Sequence, residues 1–288
     1  MTSSAIEEKR DRLLQILRNY ESVVVAFSAG VDSTVVAKAA AIACGEKSVA
    51  ATALSPSLAS GELDLARELA ELIGIRHEII ETDEFSNPAY LANPANRCYF
   101  CKTELYGHLG PLAEKLGFNA VVNGANLDDK GDYRPGMMAA AENSVSSPLV
   151  DAEFSKADVR ELARLWELPV WNKPATPCLS SRIAYGIEVT PERVRMIDAA
   201  ERFLSQLTGL KPLRVRLEHQ QLARIEVPLD QLATVANPAT SDAIVKKLLN
   251  LGFCSVTLDL QGFRSGSMNS ALGEVQNLVE LSDFSQSK

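Results

Sequence analysis

Apolar residues recur at helical spacing through 5–19, and a continuous hydrophobic run of strand length, SVVVAFS, follows at 22–28. The two signals then alternate. Residues 31–44 (VDSTVVAKAAAIAC) read as a helix, 48–54 as a strand, 60–74 as a helix and 76–82 as a strand. A loop with Pro88 and Pro94 is predicted over 83–97, a helix over 99–116, a strand over 119–125 (NAVVNGA), an irregular Gly/Asp stretch, and a helix over 155–167. Strand–helix alternation of this kind predicts an α/β doubly wound parallel sheet, with ligands at the carboxyl ends of its strands. The pattern changes near 187. A helix at 191–208 precedes two alternating strands, 212–218 (PLRVRLE) and 222–228 (LARIEVP), then a helix at 241–252 and a strand at 255–261. That order predicts a second, smaller α+β domain with a mixed or antiparallel sheet. The expected division is therefore a doubly wound α/β domain over 1–186 and a smaller α+β domain over 187–288.

The most informative short segment is VVVAFSAGVDSTVVA. A buried strand ends at Phe27, a helix begins near Val31, and Ser28, Gly30, Asp32 and Ser33 lie at the junction. A helix N-terminus offers unsatisfied N–H groups and a positive dipole end, the two serines add hydroxyl donors, and Gly30 lacks a Cβ that would keep an anion away. The bland alternative is a turn in which Asp32 and Ser33 only cap the helix. No Gly-Lys-Ser/Thr closes the loop, so it is not a Walker A motif.

Composition narrows the classes. The chain has 288 residues, 46% hydrophobic and 23% charged, which is ordinary for a globular protein. Its formal charge of −8 argues against a nucleic-acid surface, though not against a local basic pocket for one small anion. The longest apolar runs are too short to span a bilayer, and the N-terminal segment mixes acids with bases unlike a signal peptide, so a cytoplasmic protein with reduced thiols is expected.

The S-x-G-x-D-S loop resembles that of the PP-loop (N-type) ATP pyrophosphatases, in which it holds pyrophosphate while ATP adenylates an acceptor oxygen. That resemblance implies ATP and Mg²⁺, with Asn126 and Asp128 of VVNGANLDDKGDYRPG facing the nucleotide or its metal, Gly124 ending a strand beside them, and adenine contacts near Leu54 and Ser55. A solvated turn is the competing reading of Asp128 and Asp129. The segments RCYFCKTEL, NGANLDDKGDYRPG, PATPCLSSRIAYG, RVRLEHQQLARIEV and LDLQGFRSGSMN together resemble one branch, the LarE family of pyridinium-3,5-biscarboxylate mononucleotide sulfurtransferases of nickel-pincer cofactor biosynthesis. The resemblance runs from about Val23 to Asn269 and implies a homo-oligomeric enzyme acting on a small mononucleotide.

Five cysteines are present, and Cys98 and Cys101 form a C-x-x-C pair. Two thiolates at that spacing can reach one metal centre. A structural zinc would need His77, His108 or His219 to complete it, and a redox disulfide would need no third cysteine. By the resemblance, Cys178 in PCLSSR occupies the family's sulfur site. Members with that cysteine alone surrender its sulfur and are spent, whereas three cysteines resemble the variant that ligates a [4Fe–4S] cluster with one open iron. Cys44 and Cys254 read as small buried hydrophobes. Basic residues fit an anionic substrate: Lys102 beside the cysteine pair, Arg134, Arg182, and Arg214 with Arg216, which share a strand face at a period of two. The resemblance gives the strand pair to the substrate phosphate. The alternative is a pair of solvated edge-strand charges. Glu201, Glu226 and Asp230 could gather a second cation.

Two rival functions remain at this point. A tRNA 2-thiolation enzyme of the same superfamily would need a basic RNA surface, against which the net charge counts. A nucleotide-binding sensor would need neither Cys178 nor the arginine pair, and substrate-dependent pyrophosphate release separates it from an enzyme.

Overall fold

The computed structural model describes residues 3–131 and 135–264. Contacts divide the chain into two compact units. The first comprises Met1–Tyr90 and Asn96–Thr176; the second starts at Pro177 and also takes in Leu91–Ala95.

The first unit runs α1 (Ser3–Tyr20), β1 (Val23–Ala26), α2 (Val31–Cys44), β2 (Ser48–Leu54), α3 (Glu62–Ile73), β3 (Arg76–Glu81), α4 (Pro88–Leu91), α5 (Arg97–Leu116), β4 (Ala120–Val122), α6 (Pro135–Glu142), α7 (Pro148–Asp151) and α8 (Lys156–Leu165). Its four strands are all parallel in the order β3-β2-β1-β4, as expected, with Val23 in register with Ser48 on one side and Ala120 on the other. Alternation along β1 explains why helices cover both faces. Val23, Val25 and Phe27 join a core with α1, α2, α3 and α8, while Val24 and Ala26 join one with α5 and α6. Strand order reverses between β1 and β4, so the crevice for a ligand opens beyond their carboxyl ends.

The structure adds helices not predicted, α6 and α7 in the stretch read as irregular, and two further differences bear on the site. The stretch 83–97 is not one loop: it contains a short 3₁₀ turn at Glu84–Ser86 and the helical turn α4. Helix α5 begins at Arg97, which brings Cys98 inside the helix with Cys101.

The second unit contains α9 (Pro191–Thr208), β5 (Arg214–Glu218), β6 (Leu222–Glu226), α10 (Leu232–Ala236), α11 (Pro238–Leu251) and β7 (Ser255–Leu258). Its sheet is mixed, in the order β5-β6-β7, with β5 antiparallel and β7 parallel to β6. The five-residue stretch Leu91–Ala95 is bound here by buried Asn93. Its Nδ2 donates to the carbonyls of Ala184 at 2.8 Å and Ile187 at 2.9 Å, and Val189 N donates to Leu91 O at 2.8 Å. Among the described residues no helix is long and apolar enough to cross a membrane.

Candidate functional site

The Ser28–Ser33 turn is built by its own hydroxyls. Ser33 Oγ donates to Gly30 O at 3.1 Å and accepts from Ser28 N–H at 3.2 Å, so Ser28 Oγ, also 3.2 Å away, is left as a donor to it. Thr34 Oγ1 donates to the same Gly30 carbonyl at 2.8 Å. Gly30 is the extended N-cap of α2 and has no side chain to cap it; Ser33 Oγ turns back to the Gly30 carbonyl, while the Asp32 carboxylate accepts from its own backbone N–H in the first turn. Within the protein itself Gly30 is not crowded. Its φ is −80°, and a Cβ there would meet only Ser28 Oγ at an ordinary 3.4 Å. The left-handed residue of the turn is Ala29, with φ of 55°.

The position where glycine is required is Gly124, two residues beyond β4. A Cβ there would lie 2.8 Å from Ser33 N and 3.0 Å from Asp32 C, against backbone that cannot swing aside. The β4 loop therefore lies directly on the first turn of α2. That contact brings buried Asn126 to Asp32, and Asn126 Nδ2 donates to the carboxylate at 2.9 Å. Burial pushes the Asp32 carboxyl above its ordinary 3.8, with Lys156 and the Asn126 hydrogen bond pulling the other way. A half-buried carboxylate held by an amide and short of positive charge fits a divalent cation with its phosphates. Asp128 is engaged otherwise: its carboxylate accepts from the backbone N–H of Lys156 at the start of α8, and its own N–H donates to Asn126 Oδ1 at 3.0 Å. Asp129 takes the neighbouring place, accepting from Asn126 N at 3.0 Å.

Further contacts at this turn and past the end of β2 were not found from the sequence. Lys173 Nζ lies 3.3 Å from Ala29 O and 2.7 Å from Glu62 Oε2. Past Leu54, buried Glu84 accepts from Ser55 Oγ at 2.6 Å, Thr82 Oγ1 at 2.9 Å and Ser57 Oγ at 3.0 Å, which fixes the loop where adenine contacts are expected. Thr52 Oγ1 donates to Phe27 O at 2.9 Å and sits 2.8 Å from His77 Nε2, so that nitrogen carries the proton. Burial lowers the His77 pKa.

Cys98 and Cys101 form no disulfide and lie one turn apart on α5, the first exposed and the second half-buried. They share a helix face, as a shared metal centre requires. Lys102 beside them lies with Nζ 5.9 Å from the Tyr106 ring. Cys178, which likewise forms no disulfide and is half-buried, precedes the 3₁₀ turn Leu179–Arg182 of the second unit. Among the described residues no three His, Cys, Asp or Glu side chains are gathered at metal-binding distance, and the histidines considered for zinc are occupied elsewhere or lie apart from any such group. Cys254 is exposed rather than buried, and Cys44 is half-buried with Sγ 3.4 Å from Leu17 O.

In the second unit the arginines are not solvated. Arg182, Arg214 and Arg216 are 1%, 8% and 5% exposed. Strand β5 is covered on both faces, since Val215 and Leu217 are buried too. Arg182 Nε pairs with Glu201 at 3.1 Å, and its Nη1 donates to the carbonyls of Pro177 and Cys178, clamping the turn that carries the cysteine. Arg216 pairs with Glu226 at 2.9 Å and donates to Ser181 O at 3.0 Å. Arg214 stacks 5.3 Å from the Phe263 ring, and its pKa is lowered to about 10 by burial and by the charges of Arg182 and Arg216. Arg224 joins them, pairing with Glu226 at 2.6 Å, Glu218 at 2.7 Å and Asp259 at 2.8 Å, so four guanidiniums meet four carboxylates; the planar forks are of the kind that binds a phosphate. Glu201 and Glu226 serve these arginines and do not form the second cation site considered above; Asp230 is not with them. Arg134 and the segment 265–269 lie outside the described residues.

A family profile for NAD synthase matches residues 6–93, the part of the chain that contains the hydroxyl-tied turn. Over 267 residues the chain is 47% identical to the uncharacterized protein slr1717 of Synechocystis sp., covering 93% of this chain and 99% of that one. It is 29% identical over 247 residues to the uncharacterized protein MJ0830 of Methanocaldococcus jannaschii, covering 85% and 92%. Over 274 residues it is 37% identical to pyridinium-3,5-bisthiocarboxylic acid mononucleotide synthase of Lactiplantibacillus plantarum, covering 95% and 98%. With both units matched at that identity over nearly the full length of each protein, the chain belongs to the LarE family of PP-loop proteins.

Proposed function

We propose that this chain is an ATP-dependent sulfurtransferase that adenylates a carboxylate of pyridinium-3,5-biscarboxylic acid mononucleotide and converts it to a thiocarboxylate. The observation that carries this reading is the Ser28–Ser33 turn at the β1/β4 crevice, with Asp32 held by Asn126. The N–H groups at the start of α2 bind the β,γ-phosphates of ATP, and Asp32 helps hold the Mg²⁺ that neutralises them. The substrate carboxylate oxygen attacks the α-phosphorus, and pyrophosphate leaves. A sulfur nucleophile then attacks the acyl carbon, AMP departs with the former carboxylate oxygen, and a thiocarboxylate remains. Arg182, Arg214 and Arg216 bind the phosphate of the mononucleotide.

For the sulfur, we assign Cys98, Cys101 and Cys178 as ligands of a [4Fe–4S] cluster. The C-x-x-C pair on one face of α5 fits such a group, with Cys178 as third ligand. A cluster held by three thiolates supplies an iron open to an extra sulfide. The competing source is Cys178 Sγ itself, which would leave dehydroalanine behind.

The test of the adenylation is substrate-dependent pyrophosphate release. Ser28→Ala and Asp32→Ala should each lose about hundredfold or more, since a group stabilising a leaving anion contributes about 3 kcal/mol. Full activity in both would sink the nucleotide assignment.

A further inference from the structure

Lys173 carries an ammonium group at the anion turn for which the reading above has no use. Its surroundings are built. Arg160 of α8 donates to the carbonyls of Trp171 at 3.3 Å and Lys173 at 3.1 Å, and Lys173 N donates to Val170 O at 2.9 Å, so the backbone that launches the side chain is fixed. The side chain then reaches Ala29 O, the carbonyl of the one left-handed residue in the turn, and the Glu62 carboxylate at the start of α3. Drawing that carbonyl toward the ammonium leaves the N–H side of the turn for the anion. Two of the three ammonium protons are used in these contacts, and the side chain is still 18% exposed. A phosphate cradled by the N–H groups of this turn comes within reach of a cation 3.3 Å from its backbone.

Resting on the nucleotide reading, we infer that Lys173 is a phosphate-binding residue of the ATP site, with Glu62 as the carboxylate that holds its ammonium at the turn until the polyphosphate arrives. Binding exchanges an acidic partner for a more highly charged one, and the turn is clamped from both sides of its backbone. The same lysine stands five residues before Cys178 in the chain, so the segment leading to the sulfur site starts from a residue that senses nucleotide.

The experiment is calorimetric binding of ATP and of inorganic pyrophosphate to the wild-type chain and to Lys173→Met, Lys173→Arg and Glu62→Gln, with thermal unfolding of each. A charge-assisted contact to phosphate predicts about ten- to hundredfold weaker binding of both ligands in Lys173→Met and a smaller loss in Lys173→Arg. Glu62→Gln, which only releases the ammonium, should bind as tightly as the wild type or more tightly. A tether with no ligand role predicts instead that Lys173→Met and Glu62→Gln lose stability and affinity together, and that result overturns the inference. Should Lys173→Met fail to fold, the comparison of Lys173→Arg with Glu62→Gln decides in the same way. Wild-type protein that binds neither ligand overturns the nucleotide reading and this one with it. Wild-type protein that binds both, beside a Lys173→Met that binds equally, overturns this one alone.

Discussion

Alanine at Gly124 is the smallest perturbation that should reach the nucleotide site without removing a polar side chain. The new Cβ would sit 2.8 Å from Ser33 N and 3.0 Å from Asp32 C and Ser33 Cα, all backbone of the first turn of α2. Restoring ordinary contact needs a separation of roughly half an ångström between the β4 loop and that turn. Overpacking of this kind costs about 1–3 kcal/mol. The backbone at Gly124 is not left-handed, so alanine adds no conformational strain and recovers about 0.4–1 kcal/mol by restricting the unfolded chain. The net loss is about 1–2 kcal/mol, or a fall in Tm of about 2–8 °C for a unit of this size. The same displacement moves the Ser33 N–H and Asp32 relative to each other, which should cost about tenfold in pyrophosphate release. Scanning calorimetry and a coupled pyrophosphate assay measure the two effects. Gly107→Ala is the control: it lies within α5 with nothing in reach of its Cβ, and should gain about 0.5–1 kcal/mol with unchanged turnover. A Gly124→Ala protein as stable and as active as the wild type would refute the claim that this contact sets the site.

Other outcomes follow from the same geometry. Because burial raises the Asp32 pKa above 3.8, the folded protein holds a proton there that the unfolded chain has lost. Stability should therefore fall as pH rises from the unfolded value through the folded one, and Asp32→Asn should flatten that segment of a denaturation-versus-pH curve while abolishing pyrophosphate release. Removing Arg182 takes the ion pair from Glu201, which keeps the Val215 N–H at 3.0 Å, and unclamps the Pro177 and Cys178 carbonyls, so Arg182→Ala should lose about 3 kcal/mol in urea unfolding as well as mononucleotide affinity. Alanine at Cys98, Cys101 or Cys178 should abolish the iron chromophore of anaerobically purified protein and multiple turnover together, while Cys44→Ala and Cys254→Ala should change neither. In iron-replete anaerobic protein after several turnovers, mass spectrometry should find Cys178 intact; dehydroalanine there would reject the cluster assignment.

The parallel sheet was legible because strands buried on both faces read as unbroken apolar runs, as VVVA of β1 does. The turn after β1 was legible as a motif, but the motif drew the glycine argument to Gly30, whereas the crowding is at Gly124, nearly a hundred residues away in the chain and visible only once β4 lies beside β1. A period of two put Arg214 and Arg216 on one face, yet it could not show that both faces of the strand are covered. Lys173 and Glu84 left no trace, since a single charged residue in a Pro-rich segment or a predicted loop has no periodicity to betray burial. The contact of Leu91–Ala95 with the second unit is likewise invisible locally, because it depends on one asparagine finding carbonyls some ninety residues on.

That short segment has a consequence for how such a protein can be inherited or engineered. The polypeptide passes between its units at 90/91, 95/96 and 176/177, so no single break in the gene separates one from the other. A fragment ending at Thr176 would carry Asn93 stripped of its carbonyl acceptors, and a fragment starting at Pro177 would expose the carbonyls of Ala184 and Ile187 that Asn93 covers. Exchange of the second unit between relatives is therefore blocked unless five residues from the middle of the first travel with it. Recombination should find this architecture indivisible, and loss or gain of function in the lineage should proceed by substitution within the whole chain.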